Sequence, residues 1–349
     1  MLDFIKKVIQ SHGKHFLTFT FFAGFMIDWF ALPSISNPLY PYIGIFYGSL
    51  VGLSILAKEH QLHLLSIGRG SRTLMGLATI VTSFTVGSLL SYVFIYYVRS
   101  GDMFTSWPLY LLLFACVFIN EISFQTSTKL LINTGLLFIG IVFYAIFNTP
   151  LIYHEVSDAV FARSIIFGFL VCYLYSALLS LTIYNKRLTY KIYLLALITP
   201  VVISVFYFTN SIPAVPLTLR SEGLYSYVSK NSQGNYDFRE LKKTPQTFLG
   251  FGQKEQIGVI SGSPLYFYGA VIAPSQVNSN ISHSWQRYDS IKKKWIVKKE
   301  TSFRIVGGRK EGYRGYSTIT YTEPGLWRVL VVVGEKRIVG QKIFTVYNL

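Results

Sequence analysis

The sequence predicts an α-helical transmembrane bundle of seven spans followed by an all-β, immunoglobulin-like sandwich domain. Charged residues make up 14% of the 349 positions and hydrophobic residues 51%, whereas a soluble domain usually carries about 25% charged residues. The charge is also uneven, because residues 210–349 hold 20 of the 32 Lys/Arg and 9 of the 16 Asp/Glu. An apolar part therefore ends near residue 210, and a polar, basic part follows it.

Seven apolar runs in the first part are long enough for membrane-crossing helices, which need about 20 residues each. They lie at 15–32, 39–57, 74–98, 106–124, 130–148, 160–184 and 190–209, so the seven-span domain covers 15–209. Before it, residues 1–14 place Leu2, Ile5 and Val8 at helical spacing beside Lys6 and Lys7. This pattern predicts a short interfacial helix.

Basic residues in the short loops predict a cytoplasmic N-terminus. With that orientation, ten basic residues lie on the cytoplasmic side: Lys6, Lys7, Lys14, Lys58, Arg69, Arg72, Lys129, Lys186, Arg187 and Lys191. The opposite loops show no basic excess. An odd number of spans then places residues 210–349 on the far side of the membrane.

Short segments rich in Val, Ile, Tyr and Phe begin after Pro213, and turn residues separate them as in a β-sandwich. We predict strands at 256–262, 265–273, 281–288, 295–306, 315–322, 326–333 and 336–347, so the sandwich domain covers 256–349. The less regular segment 210–255 is predicted to be a juxtamembrane lead-in. In "TEPGLW", Pro324 and Gly325 predict a turn, and Trp327 is expected in the core.

The C-terminal text "ISHSWQRYD…GGRKEGYRGYSTITYTEPGLWRVLVVVGEKRIVGQKIFTV" resembles a domain of unknown function found in Gram-negative bacterial envelope proteins. "FFAGFMIDWFALPSIS", "GSLLSYVFIYYVRSG", "INEI" and "IPAVPL" are similar to the membrane segment that often precedes that domain. The resemblance spans nearly the whole chain. It implies an inner-membrane protein with a periplasmic domain, and it implies no activity.

Two basic segments of the β-domain form the predicted binding surface. They are "IKKKWIVKKE" and "GGRKEGYRG", which supply Lys292, Lys293, Lys294, Trp295, Arg309, Lys310 and Arg314. Arginine offers planar paired donors to anionic groups, and a periplasmic location favours acidic glycans, lipid headgroups or an acidic protein over nucleic acid. The alternative is that the lysines protect an edge strand from aggregation and that the second loop is merely solvated.

No catalytic, metal or cofactor site is predicted. His283 and Trp285 alternate along a strand and share a face, while the neighbouring Ser282 points to the opposite one. A hydrolase triad is therefore disfavoured, and His283 is expected to be a hydrogen-bonded structural residue. "GGRKEGYRG" lacks the Lys-Ser/Thr pair that ends a phosphate loop, and no helix is predicted after it. Both cysteines, Cys116 and Cys172, lie in apolar runs.

Ionisable and polar residues within the spans are a second set of candidates, because such residues are costly in a membrane. They are Asp28, Asn120, Glu121 and Arg163. Asp28 and Arg163 lie at similar predicted depth and could pair across helices. Such a pair could serve helix packing, or the set could form a substrate or proton site.

These observations give three functional hypotheses. The first is an inner-membrane protein whose periplasmic β-sandwich binds a partner protein or an anionic envelope glycan or lipid. The second is a membrane-embedded enzyme or transporter for a lipid-linked or small substrate. The third is an accessory subunit of a larger membrane complex. Membrane lipid is an expected partner in each case, and nucleic acid in none.

Overall fold

The computed structural model describes residues 25–33, 37, 39–101, 103–121, 126–233, 235–241, 255–260, 262–273, 278–306, 312–320, 323–334 and 337–349. The predicted interfacial segment at 1–14 lies outside this part of the chain. The chain divides into two compact units, one helical and ending at Ile212, the other beginning its main segment at Pro213 and consisting of strands.

Seven helices are present among the described residues of the helical unit, and each overlaps one of the predicted runs. They are α1 (25–31), α2 (Tyr40–Ser66), α3 (Arg72–Ser100), α4 (Met103–Glu121), α5 (Thr126–Tyr153), α6 (Asp158–Ser180) and α7 (Lys186–Phe208). Of these, α2, α3, α5, α6 and α7 are long and apolar enough to cross a membrane, while the apolar stretch in α4 is shorter. The helical N-terminal part is confirmed, and seven spans stay a prediction.

Aromatic packing joins α2, α3 and α5. The ring of Tyr40 lies 4.6 Å from that of Tyr96 and 4.8 Å from that of Phe147, measured between centroids. The Tyr97 hydroxyl donates to the carbonyl oxygen of Phe143 at 3.0 Å, which ties α3 to α5. Large rings that are also hydrogen-bonded give this unit a well-defined core.

Arg99, near the end of α3, stabilises the C-terminal end of α1. Its guanidinium group donates to the carbonyl oxygens of Trp29 at 2.6 Å and Leu32 at 3.2 Å. The last carbonyls of a helix have no partner within the helix and carry a partial negative charge, so a cation there is favourable. Arg99 also stacks on the ring of Trp29, 5.9 Å from its centroid.

Gly44 of α2 allows a close approach between helices. A Cβ atom at this position would lie 2.4 Å from the ring of Tyr144 and 2.6 Å from the hydroxyl of Tyr92. We therefore expect Gly44→Ala to destabilise the helical unit by about 1–3 kcal/mol through overpacking. At Gly48 a Cβ would meet no atom within 4 Å, so Gly48→Ala is the matched control. Thermal unfolding of the chain in detergent micelles measures both, and equal midpoints for the two variants would contradict the argument.

The second unit contains nine strands in the part of the chain that the structure describes. They are β1 (Thr218–Lys230), β2 (Tyr236–Glu240), β3 (Glu255–Val259), β4 (Leu265–Ile272), β5 (Asn278–Asp289), β6 (Lys294–Val306), β7 (Tyr313–Ile319), β8 (Gly325–Val333) and β9 (Arg337–Asn348). One sheet has the order β2-β1-β4-β7 and the other β3-β9-β8-β5-β6. Neighbours are antiparallel except β3 and β9, which are parallel.

The two sheets contact each other through buried side chains. The ring of Phe267 on β4 lies 4.8 Å from that of His283 and 6.3 Å from that of Trp285, both on β5. Trp327 is 1% exposed, as expected for a core residue, and Gly325 before it has a φ of 134°, in the region that favours glycine.

The sheet-rich C-terminal unit is confirmed, and all seven predicted strands have a counterpart among β3 to β9. The immunoglobulin-like arrangement stays a prediction. The strands β1 and β2 were not predicted, and they lie in the segment 210–255 that we assigned to a lead-in. There β1 pairs with β4 over most of its length, so it is a full member of the four-stranded sheet.

Candidate functional site

Seven aromatic rings form a continuous cluster on the four-stranded sheet, and we call this cluster the aromatic surface. All four strands contribute, and the centroid of each ring lies within 6.1 Å of another. The residues are Tyr225, Tyr227, Tyr236, Phe238, Tyr266, Tyr268 and Tyr316. The rings meet mostly edge to face or tilted, the arrangement that aromatic quadrupoles favour.

Part of the aromatic surface is open to solvent. Tyr227, Phe238 and Tyr316 are 45%, 43% and 38% exposed, while Tyr268 beneath them is only 8% exposed. The Tyr236 hydroxyl donates to the carbonyl oxygen of Arg314 at 2.8 Å and so fixes its own ring. Single exposed apolar residues are common on proteins, but a contiguous patch of them usually marks an interaction site.

Two arginines stack on the aromatic surface. The guanidinium carbon of Arg239 lies 5.8 Å from the ring centroid of Tyr227, and that of Arg314 lies 5.6 Å from the centroid of Tyr236. Both distances fit a cation–π contact. The exposed carboxylates of Asp237 and Glu240 belong to the same strand as Arg239, so this region carries both signs of charge. It offers ring faces, hydroxyl groups and guanidinium groups together.

The predicted lysine segment lies on the other sheet, in the turn between β5 and β6. Lys292, Lys293 and Lys294 are exposed. The Asp289 carboxylate accepts hydrogen bonds from the backbone N–H of Ile291 at 2.9 Å and of Lys292 at 3.0 Å. The bond from Lys292 is the main reason why the pKa of Asp289 is lowered. This is an Asx turn that defines a hairpin.

Trp295 packs against its own sheet. Its ring lies 5.3 Å from that of Tyr288, and the guanidinium carbon of Arg328 lies 4.3 Å above it. Arg328 also donates to the Gln286 side-chain oxygen at 2.8 Å, and burial lowers the pKa of this arginine. The contacts occupy one ring face of Trp295 and fit a structural role in the hairpin.

The structure therefore separates the predicted basic residues. Lys292, Lys293, Lys294 and Trp295 belong to the five-stranded sheet, whereas Arg314 belongs to the aromatic surface on the four-stranded sheet. Arg309 and Lys310 lie outside the described residues. Their binding role stays a prediction.

Of the four polar candidates in the helical unit, the structure describes the side chains of Asp28 and Arg163. The carboxylate of Asp28 is buried and accepts hydrogen bonds from Tyr47 at 3.0 Å and from Ser91. Its partners thus come from α2 and α3 and do not include Arg163, which is exposed in the first turns of α6. The side chains of Asn120 and Glu121 lie outside the described residues.

His283 is buried between the sheets, as expected for a structural histidine. Its Nδ1 lies 3.0 Å from the Ser317 hydroxyl, which also accepts a hydrogen bond from Trp285 Nε1 at 2.9 Å. The rings of Phe267 and Phe303 lie 4.8 Å and 4.6 Å away and meet the imidazole edge to face. Burial lowers the pKa of His283 to about 3, so the imidazole is neutral at pH 7. Within the described ranges, no three His, Cys, Asp or Glu residues come together as a metal site.

The aromatic surface was not predicted, although the sequence carries a recurring pattern of aromatic residues. Three of the four strands carry two aromatic residues separated by one position, in "YSY" at 225–227, "YDF" at 236–238 and "YFY" at 266–268. This spacing places alternate residues on one face of a regular strand. A search for the repeated pattern could have identified the four rings of β2 and β4 from the sequence, whereas Tyr225 and Tyr227 of β1 flank an irregularity in the strand pairing.

Comparison with known proteins gives a family match for the last five strands. Residues 278–346, from β5 to β9, match a family described as a protein of unknown function (DUF2914). No curated protein matches the chain. Among solved structures, the Pseudomonas fluorescens alkylpurine DNA glycosylase AlkC bound to DNA containing an abasic site analog aligns over 90% of this chain and 100% of that chain, with 10% identity. Its TM-score of 0.22 does not indicate a shared fold.

The family match fits the resemblance noted from residues 281–289 and 307–346. It covers β7, which carries Tyr316 and Arg314, but not β1, β2 and β4, which carry the other six rings. The aromatic surface is thus mostly outside the matched segment.

Proposed function

We propose that the protein is an integral inner-membrane protein whose periplasmic β-domain binds an envelope polysaccharide through the aromatic surface. The observation that carries the proposal is the continuous cluster of seven rings, three of them more than a third exposed. The seven-span topology over 15–209, the immunoglobulin-like arrangement and the cytoplasmic N-terminus are parts of the same proposal. The β-domain of the proposal includes β1 and β2, so it begins before the limit of 256 that the sequence predicted.

Sugar rings suit this surface because each pyranose has a face of C–H bonds and a rim of hydroxyl groups. The C–H face packs on the electron-rich face of an aromatic ring, and the tyrosine hydroxyls exchange hydrogen bonds with the sugar rim. Tyrosine loses little conformational entropy on binding, since it has only two side-chain torsions. Six of the seven rings are tyrosines. A purely apolar partner would favour Phe, Leu or Ile at these positions.

Acidic sugars are the favoured class of ligand. Arg239 and Arg314 hold their guanidinium groups on the surface by stacking, and a guanidinium group binds a carboxylate through two parallel hydrogen bonds. The wider domain supports this preference, because residues 210–349 carry 20 basic and 9 acidic side chains. Long-range attraction of that kind raises the rate at which an anionic polymer is captured.

The test compares polysaccharide binding by the full chain and three sets of variants in detergent micelles. Alginate is the acidic probe and dextran the neutral one. Affinity electrophoresis measures how far each polymer, embedded in the gel, slows the migration of the protein. We expect Tyr227→Ala, Phe238→Ala and Tyr316→Ala in combination to weaken alginate binding at least about tenfold, because each change removes apolar area that contributes about 25 cal/mol per Å² when a sugar covers it. Arg239→Gln with Arg314→Gln should reduce alginate binding more than dextran binding.

The matched control is the triple change Lys292→Gln, Lys293→Gln and Lys294→Gln on the other sheet, which should leave the affinity nearly unchanged at moderate salt. If the lysine variant loses binding and the ring variant retains it, the binding site is the hairpin and the proposal fails. The proposal also fails if neither alginate nor dextran slows the migration of the unchanged chain.

A further inference from the structure

An apolar cleft of about 480 Å³ lies within the helical unit between α2, α3, α5 and α6. Three glycines of α2, at four-residue spacing, form one wall: Gly44, Gly48 and Gly52. Residues four apart on a helix lie on the same face, so these glycines make a continuous shallow strip. The opposite walls come from α5 and α6 and include Leu137, Phe167 and Val171.

The cleft is empty space that the neighbouring side chains do not fill. A Cβ atom on Gly48, at the middle of the glycine strip, would meet no atom within 4 Å. At Gly52 the Tyr175 hydroxyl donates to the carbonyl oxygen at 2.9 Å, which fixes the α6 wall against α2. The cleft is partly open, since its lining residues Leu53 and Phe167 are 64% and 52% exposed. An apolar groove that nothing fills forfeits van der Waals contacts along its walls. A bound apolar molecule restores those contacts.

The dimensions of the cleft match a lipid tail. The cleft follows α2 from Gly44 to Leu56, and the helical rise between these two residues is about 18 Å. Half of the bilayer hydrocarbon core is about 15 Å, the depth that one acyl chain occupies. The volume also falls in the range of about 300–1,000 Å³ that is usual for ligand sites.

The lining excludes most other ligands. Among the described residues, no charged side chain lines the cleft, and the polar side chains that line it are Ser49, Tyr144 and Tyr175. Asp28 and Arg163 are not among the lining residues. All four surrounding helices have apolar character, and α2, α3, α5 and α6 are each long enough to cross a membrane. Acyl chains are the apolar molecules at highest concentration beside such helices.

We propose that the cleft binds one acyl chain of a membrane phospholipid. The acyl chain lies along the glycine strip of α2, and a polyisoprenoid tail would exceed the length of the cleft. This inference is independent of polysaccharide binding, since it rests on the helical unit alone. It describes a lipid held at a defined site, in contrast to the mobile lipids around the protein.

Photocrosslinking tests the proposal in membranes that contain the full chain. A phosphatidylethanolamine with a diazirine in its acyl chain is the probe, and mass spectrometry locates the crosslinked residues. We expect crosslinks to concentrate on the cleft-lining parts of α2, α5 and α6. Gly48→Leu should reduce this crosslinking at least fivefold, and Gly48→Ala should reduce it to an intermediate degree.

Gly76→Leu on α3 is the matched control, because a Cβ there also meets no atom within 4 Å and Gly76 does not line the cleft. It should crosslink like the unchanged chain, and a symmetrical size-exclusion profile for all variants shows that they fold. Equal crosslinking in Gly48→Leu and in the unchanged chain would overturn the proposal. So would stronger labelling of the cleft by a diazirine-bearing polyprenyl phosphate than by the phospholipid.

Discussion

Replacing Ser317 by alanine is expected to lower the unfolding free energy of the β-domain by about 2–4 kcal/mol. The Ser317 hydroxyl on β7 is the hydrogen-bond partner of two buried groups on β5, Trp285 Nε1 at 2.9 Å and His283 Nδ1 at 3.0 Å. Without the hydroxyl, both groups remain buried and unsatisfied, and each such group costs about 1–3 kcal/mol. The two bonds also join the two sheets, so their loss affects the packing between them.

Urea unfolding followed by tryptophan fluorescence measures the effect in the full chain. Ser282→Ala is the matched control, because it removes a buried hydroxyl from β5 that makes no side-chain hydrogen bond in the described part of the chain. It should change the unfolding free energy by less than about 1 kcal/mol.

A second variant separates the two bonds of Ser317. In a Trp285→Phe background one buried donor is already absent. Ser317→Ala should therefore lower the unfolding free energy less in that background than in the unchanged chain. This non-additivity is the signature of groups in direct contact. If Ser317→Ala has the same effect in both backgrounds, the serine does not bind the indole in the way the structure indicates.

The strands from β3 to β9 could be predicted because their sequences alternate and turn residues separate them. β1 was missed for a physical reason. Its pairing contains two irregularities, between Leu219 and Ser221 and between Tyr225 and Tyr227. A β-bulge adds one residue and shifts the alternation of inward and outward side chains. A search for strict period-two alternation therefore overlooks this strand.

The end of α2 shows a second limit of prediction from the sequence, which concerns where a helix ends. The apolar run predicted at 39–57 ends where charged residues begin, but the helix continues to Ser66. Lys58 and Glu59 lie inside it and are 7% and 8% exposed. Hydropathy finds the apolar part of a helix, whereas the helix itself ends where its backbone hydrogen bonds end. The sequence "KEHQLHLL" consists mostly of good helix formers.

The candidate site depended on contacts between distant parts of the chain. Tyr225 and Tyr316 belong to one aromatic surface although 90 intervening positions separate them in the sequence. Sequence spacing gives the face of a single strand, but strand order decides which faces meet. The order β2-β1-β4-β7 brings the rings together, and no local pattern specifies that order. For the same reason, the partners of Asp28 could not be predicted from its own helix.

Acidification from pH 7.5 to pH 5 is expected to lower the unfolding free energy of the β-domain by about 2 kcal/mol, through His283 alone. Burial lowers the pKa of His283 from 6.5 to about 3 in the folded protein. The unfolded chain therefore takes up a proton near pH 6.5, while the folded chain does not. Stability is full above pH 6.5 and falls below it by up to about 1.4 kcal/mol per pH unit.

The surroundings of His283 explain why the folded state excludes the proton. Phe267 from β4 and Phe303 from β6 meet the imidazole ring, and Ser317 from β7 is its hydrogen-bond partner. These neighbours provide no carboxylate to stabilise an imidazolium ion. Because Ser317 already accepts the indole N–H of Trp285, its own proton can be donated to Nδ1, and this bond requires a neutral imidazole.

His283→Phe tests the assignment, because it retains an aromatic ring of similar shape and removes the titratable group. Urea unfolding at several pH values between 5 and 7.5 should show a slope for the unchanged chain and almost none for the variant. Most carboxylates titrate below this interval, so they contribute little to the slope. A pH dependence that persists undiminished in His283→Phe would show that another group is responsible and that His283 takes up its proton without unfolding the domain.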